Sequence, residues 1–186
     1  MSVVYFKRYR MQFDLIETQI PPERPCAGAE FLSWDEKLVF LHGMVKWESF
    51  RREMDVHVFP CLGERDGCRQ LMRDISRRDN FVPETTWLAT QFSQKLQGVR
   101  SVGTIQGLRI SAHLGAIQNI GVIPEFRGQG IARELIRRNL TGFLAIGCSK
   151  VQLEVTIHNS DAIRLYESIG FQVTETVFKV GQFSGN

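Results

Sequence analysis

Six consecutive residues, Arg127, Gly128, Gln129, Gly130, Ile131 and Ala132, form a glycine-bearing turn between an apolar run and a helical one. Glycine at 128 and 130 lets main chain approach a ligand with no Cβ in the way, and the first amides of the helix lack intrahelical partners and lie at its positive dipole end. Such a turn suits a pyrophosphate and points to a nucleotide-like cofactor. The commoner phosphate loops do not fit. There is no Gly-x-Gly-x-x-Gly with an acid about 20 residues on, and no Lys-Ser/Thr closes the loop.

The flanking elements are set by periodicity. Ala116 to Ile123 is largely apolar and β-branched, and Pro124 removes a ladder donor and ends that strand. Ile131, Ala132, Leu135, Ile136, Leu140, Phe143 and Leu144 then recur near the period of a helix. In a second strand, Val151, Leu153, Val155 and Ile157 alternate with Gln152, Glu154 and Thr156, and a helix from Asn159 to Ile169 stops at Gly170. Asn159, Ala162 and Tyr166 are three and four residues apart and share one face of that helix.

On these residues the sequence resembles the GNAT superfamily of acyl-coenzyme A-dependent N-acyltransferases. Arg127, Gly130 and Ala132 fill its pyrophosphate signature, Gln/Arg-x-x-Gly-x-Gly/Ala, while Asn159, Ala162, Leu165-Tyr166 and Gly170-Phe171 repeat its ending. The resemblance covers roughly residues 85 to 180. It implies acetyl-CoA as acyl donor, its pyrophosphate on Arg127–Ala132 and its pantetheine arm against main chain of Ile120, Gly121 and Val122. Gly121 is expected at a bulge where this strand splays from the 151–157 strand and opens a slot. Asn159 would hydrogen-bond the arm or order its loop, with Ala162 on the same helix face.

Amide formation needs a neutral amine, donors for the developing oxyanion and a proton for the departing thiolate. The resemblance makes Tyr166 the general acid, since a phenol with a pKa near 10 is protonated at neutral pH. Glu154 lies twelve residues before Tyr166, the interval at which ribosomal-protein alanine acetyltransferases place a catalytic glutamate, and is the first candidate base. Glu84, His113, His158 and a water chain stay open. Gln118 and Asn119 stand where other members often carry acids, and neither amide can act as a base. The implied activity is acetyl transfer, by direct attack in a ternary complex, to a primary amine of a small molecule, peptide or protein N-terminus. Two alternatives are a non-catalytic acyl-CoA-binding sensor and an interaction module with no coenzyme.

With 186 residues, 43% hydrophobic and 23% charged, the chain suits one domain over residues 1–186. Residues 1–84 would supply an N-terminal strand and helices shaping the acceptor site, and residues 85–180 the coenzyme-binding core. A net charge of +3, dispersed among acids, does not call for nucleic acid. Of the dense basic group Arg127, Arg133, Arg137 and Arg138, the last three read as a solvated helix face. No apolar run reaches the length of a membrane span, and the charged N-terminus is unlike a signal peptide, so a cytoplasmic location is expected. Cys26, Cys61, Cys68 and Cys148 and the four histidines lack metal-ligand spacing, so no metal is expected. A homodimer is left open.

Val3 to Leu15 alternates as a first strand. Ser33-x-x-Glu36 reads as a capping box for a helix to about residue 54, with Trp34, Leu38, Leu41 and Val45 on one face. A helix at about 66–77, a hairpin of strands 85–92 and 99–110 turning near Gln97-Gly98, and a last strand at 171–180 complete the layout. This is an α+β fold, GNAT-like, with a mixed, mainly antiparallel sheet flanked by helices.

Overall fold

The computed structural model describes residues 2–26 and 28–183. Seven strands, β1 (Ser2–Asp14), β2 (Ala29–Ser33), β3 (Phe81–Ser93), β4 (Gly98–Arg109), β5 (Leu114–Val122), β6 (Lys150–Thr156) and β7 (Gln172–Phe183), form one sheet in the order β2-β3-β4-β5-β6-β1-β7. Only β5 and β6 run parallel. The helices are α1 (Val39–Phe50), α2 (Asp55–Val58), α3 (Arg65–Ser76), α4 (Ile131–Ala145) and α5 (Ser160–Ile169). The fold is α+β, as the periodicity predicts.

Alternation places β1 inside the sheet. Met11 and Phe13 are fully buried in the main core with Val151, Leu153, Phe171 and the α4 residues Leu135, Ile136, Leu140 and Phe143. Phe13 meets Phe171 at 5.4 Å between ring centroids, so the first strand is fastened to the last helix–strand corner. Burial of such side chains stabilises by about 1.5–3 kcal/mol each. β1 pairs with β6 on one edge and β7 on the other, joining both ends of the chain in one layer.

The N-terminal third departs from its sequence reading. Ala29–Ser33 is an edge strand paired with β3, so Ser33, opposite Trp87, cannot open the next helix. Asp35 does so instead: its side chain accepts from the Lys37 amide at 2.8 Å and caps a single 3-10 turn ahead of α1. The helix ends at Phe50 rather than near 54, and the short α2 follows. The buried face of α1 is His42, Gly43, Val45, Lys46 and Ser49, while Leu41 is exposed. β3 starts four residues earlier than the spacing predicts, and its register with β4 shifts between Val82 and Trp87, around Pro83, which has no amide to donate.

No helix of the described residues is long and apolar enough to cross a membrane. The four cysteines are free thiols. Among the described residues, no three His, Cys, Asp or Glu side chains converge on a point that could hold a metal.

Candidate active site

The pairing of β5 with β6 stops after three residue pairs, the last being Ala116 with Gln152. Beyond it the strands part, and a cleft of ≈ 980 Å³ opens between Ile117–Val122 and Leu153–Thr156. The parting follows a bulge. Gln106 pairs with Asn119 but the next residue, Gly107, pairs with Ile117, so Gln118 is the extra residue that turns β5 away. The expectation of a bulge at Gly121 is therefore corrected: Gly121 pairs regularly with Thr104. Its missing side chain serves another purpose, because a Cβ there would lie 2.8 Å from Ser49 Cβ and 2.9 Å from the Phe50 ring of α1. Ser49 beside it lines the cleft, and its buried hydroxyl has no hydrogen-bond partner among the described residues.

At the C-terminal end of β5, Pro124–Phe126 make a 3-10 turn, Arg127 is extended, and Gly128 and Gly130 have φ of 77° and 86°. Those left-handed conformations suit glycine and carry the chain directly into α4, whose first-turn amides have no intrahelical acceptor. Nothing lies within 4 Å of where a Gly128 Cβ would stand. Gln129 Oε1 accepts from Gln91 Nε2 at 3.0 Å, tethering the turn to β3. Gly130, Ile131 and Ala132 line the cleft with Gly128.

The side chain of Arg127 points elsewhere. It donates to Val122 O at 3.0 Å and Ser49 O at 3.1 Å and pairs with Glu53 at 2.9 Å, bracing β5 against the end of α1. Arg137 and Arg138 both engage the buried Glu134, at 2.7 and 2.8 Å, and Arg133 donates to the Ser168 hydroxyl at 2.5 Å. The donors the turn offers to an anion are thus its main-chain amides.

Across the cleft, Asn159 is the N-cap of α5, its Oδ1 accepting from the Ala162 amide at 3.2 Å. Ala162 and Tyr166 line the cleft one and two turns on. Tyr166 is buried, 5.9 Å from the Phe171 ring centroid, and no described residue hydrogen-bonds its hydroxyl. Burial first, then the Asp55 charge, push the phenol well above its ordinary range, with Arg8 opposing. It stays protonated at any physiological pH.

Glu154 also lines the cleft, within a cluster of cations. Lys179 Nζ lies 2.7 Å, Arg10 Nη2 3.1 Å and Arg8 Nε 3.9 Å from its carboxylate. Burial raises its pKa, but hydrogen bonds from Lys179 and Arg10 and their charges outweigh that and hold the carboxyl below its usual value. Of the other base candidates, His158 lines the cleft, Glu84 lies in a separate shallow hollow with Asp79 and Arg109, and His113 is exposed outside both.

Sequence spacing missed three polar residues of this site. Arg8 is buried and donates to Asp55 Oδ1 at 2.6 Å and to Thr156 Oγ1 at 2.7 Å, with its guanidinium 5.5 Å from the Phe59 ring centroid. Thr156 also donates to Asp55 Oδ1, at 3.2 Å. In the sequence Arg8 belongs to the polar half of an alternating strand; only the pairing of β1 with β6 carries it to the cleft.

A family model described as Acetyltransferase (GNAT) family matches residues 56–171. An acetyltransferase of Sodalis glossinidius (strain morsitans) is 33% identical over 109 residues, 59% of this chain and 72% of the relative. Among solved structures, a GCN5-related N-acetyltransferase from Sphaerobacter thermophilus matches 94% of this chain with a TM-score of 0.65 at 21% identity, and this chain spans 50% of that one. An aminoglycoside N-acetyltransferase solved in complex with CoA matches 80% of this chain and 91% of its own, with a TM-score of 0.56 at 15% identity. The two structural likenesses speak to the fold alone. The chain belongs to the acetyltransferase (GNAT) family, and acetyl transfer is the activity that family defines.

Proposed function

We propose that this chain transfers an acetyl group from acetyl-CoA to a primary amine in a ternary complex. The observation that carries the reading is the slot itself: one cleft joins a glycine turn at a helix N-terminus, a strand edge released from its neighbour and a buried tyrosine whose hydroxyl has no hydrogen-bond partner among the described residues. The residues present fit the coenzyme. Main-chain amides from Gly128 to Ala132 would hold its pyrophosphate, as helix N-termini do. The free edge of Ile120, Gly121 and Val122 would hold the arm, with the Ser49 hydroxyl beside it. When bound, the coenzyme supplies an activated acetyl thioester.

The chain's own residues supply the proton transfers. Tyr166 holds a proton at Oη for the sulfur that leaves as the new C–N bond forms. Glu154 accepts the amine proton, directly or through water, although its cations make it a weak base. Asn159, used as a helix cap, orders the entry to α5. The acceptor end of the cleft, with Asp55, Arg8, Phe59 and Lys179, suits a small molecule, a peptide or a protein N-terminus.

Thiol release from acetyl-CoA over a panel of primary amines tests the reading. Amine-dependent release supports transfer. Tight acetyl-CoA binding with no release across small amines, peptides and N-terminal peptides would replace it with the non-catalytic sensor.

A further inference from the structure

The layer between α1 and the sheet is polar where a helix normally buries apolar side chains. His42, Lys46 and Ser49 of α1 face Thr104 and Gln106 of β4 and Asn119 of β5. Lys46 is fully buried, and the acceptors of its ammonium are both amide oxygens: Gln106 Oε1 and, at 2.7 Å, Asn119 Oδ1. A buried lysine bonded to neutral amides is costly for a fold, so its role is to be sought in what it fixes.

As the ammonium with three donors, or as the neutral amine with two, the Lys46 nitrogen can donate to both carboxamide oxygens, and so it fixes each carboxamide with its oxygen toward Lys46. Gln106 Nε2 is thereby turned to Thr104 Oγ1 at 2.5 Å and His42 Nδ1 at 3.3 Å, and the Thr104 hydroxyl to His42 Nδ1 at 2.7 Å. The other arm of the network ends at Asn119, which lines the cleft at the bulge. With Oδ1 held by Lys46, Nδ2 of Asn119 makes no hydrogen bond to a described residue, and its donors remain for a group in the cleft that Asn119 lines.

From this the structure assigns Asn119 as a hydrogen-bond donor to the thioester carbonyl oxygen, and Lys46 as the positioning residue that aims it. The assignment rests on the coenzyme reading above. A chain laid along β5 from the phosphate turn passes Val122, Gly121 and Ile120 before it reaches Asn119. As the amine nitrogen bonds to the carbonyl carbon, the C–O π pair moves onto oxygen, where the Asn119 donor opposes the charge. The pair returns as the C–S bond breaks, sulfur leaves with its electrons and takes the Tyr166 proton, and the amine proton goes to the base.

Two variants separate aiming from architecture. Lys46→Met keeps the length of the side chain and removes the ammonium; Asn119→Asp keeps the acceptor for Lys46 and removes the amide donor. The probes are CoA and acetyl-CoA carrying ¹³C at the carbonyl, read by calorimetry and by the infrared carbonyl band. In the wild type the bound band should shift to lower wavenumber and acetyl-CoA should bind more tightly than CoA. Both variants should abolish the shift and narrow that preference by about five- to tenfold, with CoA affinity unchanged. Lys46→Met should keep or raise the thermal midpoint, whereas a merely structural lysine would lower it. An unshifted wild-type band, or a shift retained in folded Asn119→Asp, overturns the assignment of the donor. A shift retained in folded Lys46→Met overturns the role of the lysine. Failure of the wild type to bind either compound would overturn the coenzyme reading itself, and this inference with it.

Discussion

Tyr166 joins two properties that pull against each other in an ordinary core tyrosine: its ring is packed in the apolar interior and its hydroxyl has no acceptor among the described residues. Burial and the neighbouring Asp55 keep it protonated, so it can give a proton to a leaving thiolate at any working pH. Tyr166→Phe should lower turnover by about 10² to 10⁴-fold and leave acetyl-CoA affinity unchanged, read by thiol release with chemistry limiting and by calorimetry. Normal turnover would make the residue a packing side chain. Glu154 carries the opposite shift. A base acts when deprotonated, and its pKa is held below 4.5 by Lys179 and Arg10 against the effect of burial, so its own limb lies on the acid side of that value. Near neutrality the pH dependence should follow the acceptor amine. Glu154→Gln should therefore depress kcat/KM without moving that limb when two amines of different pKa are compared. A limb that moves with the mutation and ignores the amine would contradict this.

At the scale of elements, α1 trades stability for placement. Burial lowers the Lys46 pKa to about 7, opposed by the neighbouring Cys68 and Cys61, and burial followed by Lys46 lowers His42 to about 3. For a lysine whose folded pKa is depressed, the unfolded chain binds the extra proton. Its contribution to stability is fully present above about 10.5 and is lost as pH falls through about 7. Wild-type stability, measured by urea unfolding relative to Lys46→Met, should therefore rise from neutral pH toward pH 10, by on the order of a few kcal/mol. A flat difference would show that the ammonium is satisfied where it lies. The same helix marks where the sequence stopped being legible. Trp34, Leu38, Leu41 and Val45 define its apolar stripe by spacing, yet the sheet beneath carries Thr104, Gln106 and Asn119, and His42, Lys46 and Ser49 turn inward to meet them. Local patterning predicted the turn at 127–132 and the α5 face because each is set by neighbours within a few residues. The Arg8–Asp55–Thr156 cluster joins residues as far as 148 positions apart and had no local signal. Five-residue β2 was hidden for a related reason, being held only by its ladder to β3.

Over the whole molecule, one sheet does two jobs. Its continuous part, β2 to β5 on one side and β6, β1 and β7 on the other, gives rigid walls, and the early end of β5–β6 pairing leaves a slot between them. The first strand completes the second wall and brings Arg8 to it, so the end of the cleft that holds Arg8 and Lys179 is built from both ends of the chain. The family match begins at residue 56 and leaves this strand outside it. We propose that acetyl-CoA enters this slot with its pyrophosphate on the turn before α4. Calorimetric titration of acetyl-CoA into the wild type and into Gly128→Asp tests it most directly. Aspartate tolerates the left-handed backbone better than most residues, and the space around Gly128 is open, so the variant should fold. The added carboxylate would stand in the turn whose amides are proposed to hold the phosphates. Acetyl-CoA should bind the wild type, and its affinity for the variant should be weaker by about tenfold or more; no binding to the wild type, or equal affinity for both folded proteins, would rule out this placement of the coenzyme.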